Sequence, residues 1–210
     1  MNRGNRRAAV FLESGDYAAF MELLETAASR FAVQLLAYCL MPNHWHLVVR
    51  PEVRGEVSAY LRWLTGTHVR RYHRVHGLEG TGHLYQGRYT SVPVQTDGHL
   101  AVVIRYVEAN PVRAGLVPRA EQWPWSSLGS ADTPWHRLVT DGPVVRNPEW
   151  AALVNTPSVS DTARIRQSIA RGAPFGTPEW TEDTARQLGL QFTLRPPGRP
   201  RARELTSTRP

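Results

Sequence analysis

Residues 31–50 constrain the fold more than any other part of the chain. Phe31 to Leu40 is an apolar run interrupted only by Gln34, and His44 to Arg50 follows with polar and apolar residues alternating at its start. Both read as β-strands, the first of them buried. Pro42-Asn43 between them is a turn signal, so the pair is expected to form an antiparallel hairpin. Residues two apart on a strand share a face. His44 and His46 therefore project together with Val48 behind them, while Trp45, Leu47 and Val49 face the other way, into a core. Two imidazoles whose Cα atoms are ~6–7 Å apart can converge on one metal ion. Two exposed or core-satisfied histidines would leave the same pattern, so the pair alone does not decide.

The remaining elements follow from periodicity. Asp16 is placed to cap a helix running to about Arg30, with Tyr17, Phe20, Met21, Leu24 and Ala28 on one stripe. Residues 56–76 read as a second helix. Its inner face is Val57, Tyr60, Leu61, Leu64, His68 and Val75, and Arg62, Arg70, Arg71, His73 and Arg74 form a basic flank. Gly77 to Gly82 is a loop, and Leu84 to Val94 reads as a strand carrying Tyr85, Gln86, Arg88 and Tyr89. Asp97 is placed to cap a third helix with Leu100, Val103, Ile104 and Val107 inward, which Pro111 ends or bends near Asn110. With a possible first strand at residues 2–7, the order is close to βαββαβ. The expected class is α+β, a ferredoxin-like (RRM-like) antiparallel sheet with helices on one face. Residues 1–120 form the main domain in this reading. Residues 121–194 are irregular and helical, with short helices at 162–171 and 178–188, and residues 195–210 are an Arg/Pro-rich tail, extended when free.

Composition narrows the function classes. A chain of 210 residues with 41% apolar content and seven Trp can bury a substantial core. No stretch reaches the ~20 apolar residues needed to span a bilayer, and Ala8 to Leu12 is too short for a signal peptide. One cysteine, Cys39, lies in an apolar run, which excludes an intramolecular disulfide and suits a reducing cytoplasm. All 25 basic residues are arginine and the net charge is +7. Residues 51–119 hold nine arginines against five acids, and residues 195–210 five against one. A GC-rich genome, which favours arginine codons, would explain most of the arginine usage. The clustering suits a polyanionic partner, nucleic acid above all. Arg62, Arg70, Arg71, Arg74, Arg88, Arg195, Arg199 and Arg201 are the candidate phosphate contacts, and exposed aromatics can stack on unpaired bases.

On the third helix Tyr106 and Asn110 stand four residues apart and share a face at the edge of the apolar stripe. If the sheet presents His44 and His46 there, one compact site holds two imidazoles, an amide oxygen and a phenol. His44-Trp45-His46 resembles the signature of the HUH single-strand endonucleases. Tyr106-Val107-Glu108-Ala109-Asn110-Pro111-Val112-Arg113-Ala114-Gly115-Leu116-Val117 resembles the tyrosine motif of the REP-associated tyrosine transposases, relatives of the IS200/IS605-like enzymes. Asn2-Arg3-Gly4-Asn5-Arg6-Arg7, Met41-Pro42-Asn43-His44, Gly82-His83-Leu84-Tyr85-Gln86-Gly87-Arg88-Tyr89 and Trp123-Pro124-Trp125-Ser126-Ser127 fit the same family, in order. Thr193 to Pro200 resembles the tail of part of it. Relatives carry a complete first strand ahead of the Asn-Arg-Gly segment and this chain begins inside that segment, so the first strand is expected as a remnant.

The resemblance implies a metal-dependent single-strand DNA endonuclease and strand transferase acting on REP-type hairpins, as a monomer or homodimer, in a bacterial cytoplasm, nucleoid-associated. Tyr106 is then the nucleophile, forming a 5′-phosphotyrosine and leaving a 3′-OH. His44 and His46 hold Mg²⁺ or Mn²⁺, with Asn110 as third ligand, and Zn²⁺ stays open as an alternative. Tyr85 and Tyr89 are rival nucleophiles without an amide four residues on. Two other readings stay open: a domesticated hairpin-binding protein that no longer cleaves, and a small metallohydrolase that uses the histidines without Tyr106.

Overall fold

The computed structural model describes residues 1–96, 98–129, 133–140 and 142–195. Its centre is the expected hairpin. β2 (Val33–Met41) and β3 (His44–Pro51) pair antiparallel, with Met41 opposite His44 across the Pro42-Asn43 turn. A bulge between Leu35 and Ala37 shifts the register, so Leu36 and Ala37 both serve the same side of the sheet. β1 (Asn2–Arg3) adds to the other edge of β3, giving a three-stranded order β1-β3-β2.

α1 (Ser14–Arg30) and α2 (Glu56–His76) cover one face. Their core with Tyr38, Leu40 and Trp45 includes Phe20, Met21, Leu24, Tyr60, Leu61 and Leu64. Asp16 is the third residue of α1 rather than its cap. Its Oδ2 accepts from the backbone N–H of Leu12 at 2.7 Å and of Glu13 at 3.4 Å, drawing the incoming chain onto the first turn. Ala27 takes the inward place expected of Ala28, and Tyr72 that of Val75, which is 65% exposed.

The opposite face is also covered, which corrects the expectation of helices on one side. α3 (Gly98–Glu108) lies across β2 and β3, and Leu100, Ile104 and Val107 pack on Leu36, Ala37, Cys39, Met41 and Val48. The reason is in β2, whose apolar residues face both ways and need two partners. Asp97, expected as the cap of α3, lies outside the described residues. Ala109 breaks the helix and α4 (Asn110–Arg113) continues with Pro111 in its first turn, ending at Gly115 with φ 68°.

The strand expected over Leu84 to Val94 is reduced to isolated bridges. Gly4 pairs with Tyr85, and Val94 with Phe175. The segment still follows β1: the N–H of Gln86 donates to Arg3 O at 2.9 Å and that of Asn5 to Leu84 O at 2.8 Å. β1 offers only two residues to pair with, and Pro93 has no N–H to contribute. Trp123 to Ser127 covers the free edge of β2. The Leu40 N–H donates to Trp125 O at 2.8 Å, and Trp123 Nε1 donates to Leu40 O at 2.8 Å.

Beyond this edge come α5 (Trp150–Asn155), α6 (Val159–Arg171) and α7 (Pro178–Leu188), the last two close to the expected helices. α5 and α6 pack on α3. Glu108, fully buried at the end of α3, ties this region down. Its Oε1 accepts from Ser127 Oγ at 2.7 Å and Arg146 Nη2 at 3.2 Å, and its Oε2 from Trp150 Nε1 at 2.6 Å. Cys39 is a buried free thiol whose pKa burial pushes up.

Candidate active site

The strand places His44 and His46 on the face that α3 covers, as the alternation predicts. Their rings lie 5.1 Å apart between centroids, and His46 meets the ring of Tyr106 edge-on at 6.1 Å. Tyr106 therefore reaches the two-histidine face from α3. A small cavity between α3 and α6, lined by Arg105, Ser158, Asp161 and Thr162 among others, opens on its side.

The turn orients the first imidazole. Asn43 Nδ2 donates to Arg7 O at 3.2 Å, which leaves Asn43 Oδ1 facing His44 Nδ1 at 2.6 Å. An amide oxygen only accepts, so Nδ1 carries the proton and Nε2 is left with its lone pair. Burial pushes the pKa of His44 down to about 4, with Arg3 and the Met1 amine adding to the effect. Burial lowers His46 well below its ordinary value too, joined by His44, the Met1 amine, Arg113 and Arg3. Both rings are thus neutral at neutral pH, the form in which imidazole ligates a metal.

Asn110 is buried on α4 with its Nδ2 on the carbonyls of Val107 at 3.1 Å and Tyr106 at 3.3 Å. Its oxygen is not idle, because Arg113 Nη2 donates to it at 2.8 Å and to Tyr106 O at 2.8 Å. The same guanidinium lies over the Tyr106 ring, 4.0 Å from its centroid. A carbonyl-type oxygen has two lone pairs, so one remains for a ligand. By type, two neutral imidazoles and an amide oxygen with a spare lone pair are the mixed N/O donors that a divalent cation such as Mn²⁺ accepts. Among the described residues, no cluster of three His, Cys, Asp or Glu offers another metal site.

Tyr85 and Tyr89 are elsewhere. Tyr85 is buried in the other core, where its hydroxyl accepts from Trp45 Nε1 at 2.8 Å and meets His68 Nδ1 at 2.6 Å. Tyr89 lies in a groove of about 810 Å³ between α2 and the 82–89 segment. Arg62, Arg70 and Arg88 line that groove with Gly66, Gly82 and Gly87. Arg71 is turned away, in an exposed ion pair with Glu22 at 2.9 Å. Arg74 and Arg195 are exposed, and Arg199 and Arg201 lie outside the described residues.

The sequence reading missed Arg113, Arg3 and Asn43 as parts of this site. Arg113 is seven residues after Tyr106, two helical turns, which is the one local signal that could have found it. Arg3 needs the pairing of β1, in which it stands opposite His44.

A family model described as "Transposase IS200 like" matches residues 1–110, slightly more than half of the chain. No curated protein matches the chain. Among solved structures, a REP-associated tyrosine transposase bound to a REP hairpin is similar at 17% identity, covering 70% of this chain and 85% of that one, with a TM-score of 0.47. The matched residues run from β1 through both histidines and Tyr106 to Asn110, and the chain belongs to the IS200-like transposase family.

Proposed function

We propose that this chain is a metal-dependent single-strand DNA endonuclease and strand transferase of the REP-associated type, with Tyr106 as its nucleophile. The observation that carries the reading is the edge-on contact of Tyr106 with His46, which in turn neighbours His44. One phenol and two neutral imidazoles on one face are a combination that neither a DNA-binding module nor a metallohydrolase needs. The order β1-β3-β2, with the 84–90 segment beside β1, supports a ferredoxin-like sheet of the HUH type whose fourth strand is reduced.

His44, His46 and Asn110 would hold the divalent cation. Its chemistry there is to polarise a phosphoryl oxygen of an otherwise unreactive phosphodiester. The hydroxyl oxygen of Tyr106 attacks phosphorus and gives up its proton, the bond to the 3′ oxygen breaks, and that oxygen takes up a proton and leaves as a 3′-OH. The 5′-phosphotyrosine conserves the energy of the broken bond, so a 3′-OH can reverse the step without ATP. Arg113 holds the Tyr106 ring and the Asn110 oxygen in place. Arg62, Arg70 and Arg88 contact phosphates in their groove, and Tyr89 offers a ring to an unpaired base. The motifs from Asn2 to Ser127 support a REP-type hairpin as the substrate.

Incubation with end-labelled hairpin DNA bearing a single-stranded flank, with Mn²⁺, followed by a denaturing gel, tests this. A covalent protein–DNA adduct is expected. Hairpin binding without an adduct would instead support a binding protein that no longer cleaves. Phosphate ester hydrolysis that survives Tyr106→Phe would support the metallohydrolase.

A further inference from the structure

Two arginines flank the two histidines. Arg3 stands directly opposite His44 in the β1–β3 pair, so the two side chains share a face. Arg113 reaches the opposite flank from α4 and covers Tyr106. Arg3 acts through its charge on both His44 and His46, and Arg113 on His46. Each of the two guanidiniums also keeps one buried N–H without a partner, Nε of Arg3 and Nη1 of Arg113. Buried donors of this kind are normally satisfied, and here both belong to cations beside the same two rings. A lone dication is repelled by such surroundings, whereas an anion is attracted and would take up the spare donors after a small side-chain shift.

We infer that Arg3 and Arg113 form an anion clamp for a phosphodiester, and that a divalent cation joins His44 and His46 tightly only once that anion is in place. The clamp rests on the proposed function for the identity of the anion, a DNA phosphate. It makes metal and DNA reciprocal effectors of one another: each raises the affinity for the other by the same factor. The enzyme would then carry little metal when free, and would assemble its reactive centre on the substrate.

The test is Mn²⁺ binding to the full chain, followed by electron paramagnetic resonance, in a Tyr106→Phe background so that nothing is cut. Mn²⁺ should bind about tenfold or more tightly with a saturating hairpin oligonucleotide than without it. Without DNA, Arg113→Gln should bind Mn²⁺ several-fold more tightly than its parent, and its gain from DNA should shrink. Arg113→Lys keeps the charge and should keep the weak DNA-free affinity. Arg3→Gln is a second variant on a different element and should behave as Arg113→Gln does, which guards against loss of folding in either one. Equal Mn²⁺ affinity with and without bound hairpin, or DNA-free affinity unmoved by both Gln variants, overturns the clamp. A hairpin that fails to bind at low salt would sink the proposed function instead, and the DNA-free comparison would still decide the clamp.

Discussion

Arg113 and Tyr106 are locked together twice. The guanidinium lies 4.0 Å from the Tyr106 ring centroid, and its Nη2 holds the Tyr106 carbonyl at 2.8 Å. A stacked cation of this kind contributes about 0.5–2 kcal/mol. None of these contacts needs the phenolic hydroxyl.

Tyr106→Phe should therefore fold like the parent and bind hairpin DNA with roughly unchanged affinity, yet form no covalent adduct. Tyr85→Phe should do the reverse. Its hydroxyl joins Trp45 to His68 in a buried network, so its loss should cost about 1–3 kcal/mol while leaving the adduct intact. Denaturing gels and urea melts separate the two. An adduct that persisted in Tyr106→Phe and vanished in Tyr85→Phe or Tyr89→Phe would move the nucleophile.

Removal of the metal or of its imidazoles should stop the reaction. His44→Ala, His46→Ala and EDTA added to the parent are each expected to abolish adduct formation. Asn110→Ala should be milder, because water can take one coordination position. It also frees Arg113 Nη2 from one of its two acceptors. Undiminished cleavage in EDTA would refute the metal role.

Much of this was legible in the sequence, and what was not has a common cause. The hairpin and α2 follow from local periodicity, and α2 spans Glu56–His76 as the pattern indicates. The pairing of His44 with His46 needs only strand alternation. The edges of each stripe depend on neighbours, which is why Ala27 and Tyr72 are buried where Ala28 and Val75 were expected. Glu108 reads as an ordinary helical acid until Ser127, Arg146 and Trp150 converge on it from the far side of the fold. The nearly unbroken apolar run of β2 signals that both faces of the sheet are covered, but which helix covers the second face depends on where α3 docks, which no local pattern gives.

Glu108 should be among the costliest residues to replace. Glu108→Ala leaves the Trp150 indole N–H without its acceptor and removes the carboxylate partner of Arg146 and of Ser127, and should destabilise the protein by about 3–5 kcal/mol. Glu108→Gln keeps one acceptor and should cost less. Urea unfolding gives the difference, and a loss under about 1 kcal/mol for Glu108→Ala would show that the network is not holding α3.

Acid should unfold the protein early. Burial lowers the pKa of His68 from 6.5 to about 3, outweighing the opposing charge of Asp16. Between those values the unfolded chain binds a proton that the folded one rejects. Stability is thus complete above about pH 6.5 and falls as pH drops toward 3, by up to about 1.4 kcal/mol per pH unit for one group. His44 and His46, also lowered, add to the same slope. Urea midpoints at pH 7 and pH 5 should differ less in His68→Gln than in the parent, and an identical difference would exclude His68 as a cause.

The arginines should divide by where they point. Arg62 and Arg70 on α2 and Arg88 from the facing segment line one groove beside Tyr89, so a single strand of DNA can touch all three. Removing one arginine that neutralises a phosphate lowers the slope of log affinity against log salt by about 0.7 for single strands and about 0.9 for duplex. Arg62→Ala, Arg70→Ala and Arg88→Ala should each reduce the slope by about that amount and weaken all hairpins alike, because phosphate contacts carry no base information. Arg71→Ala is the control. Arg71 faces α1 and is paired with Glu22, so its removal should leave the slope unchanged. Fluorescence anisotropy over a salt series reads both. Equal slopes for Arg71→Ala and the three groove variants would mean that DNA sees the net charge of the molecule rather than this groove.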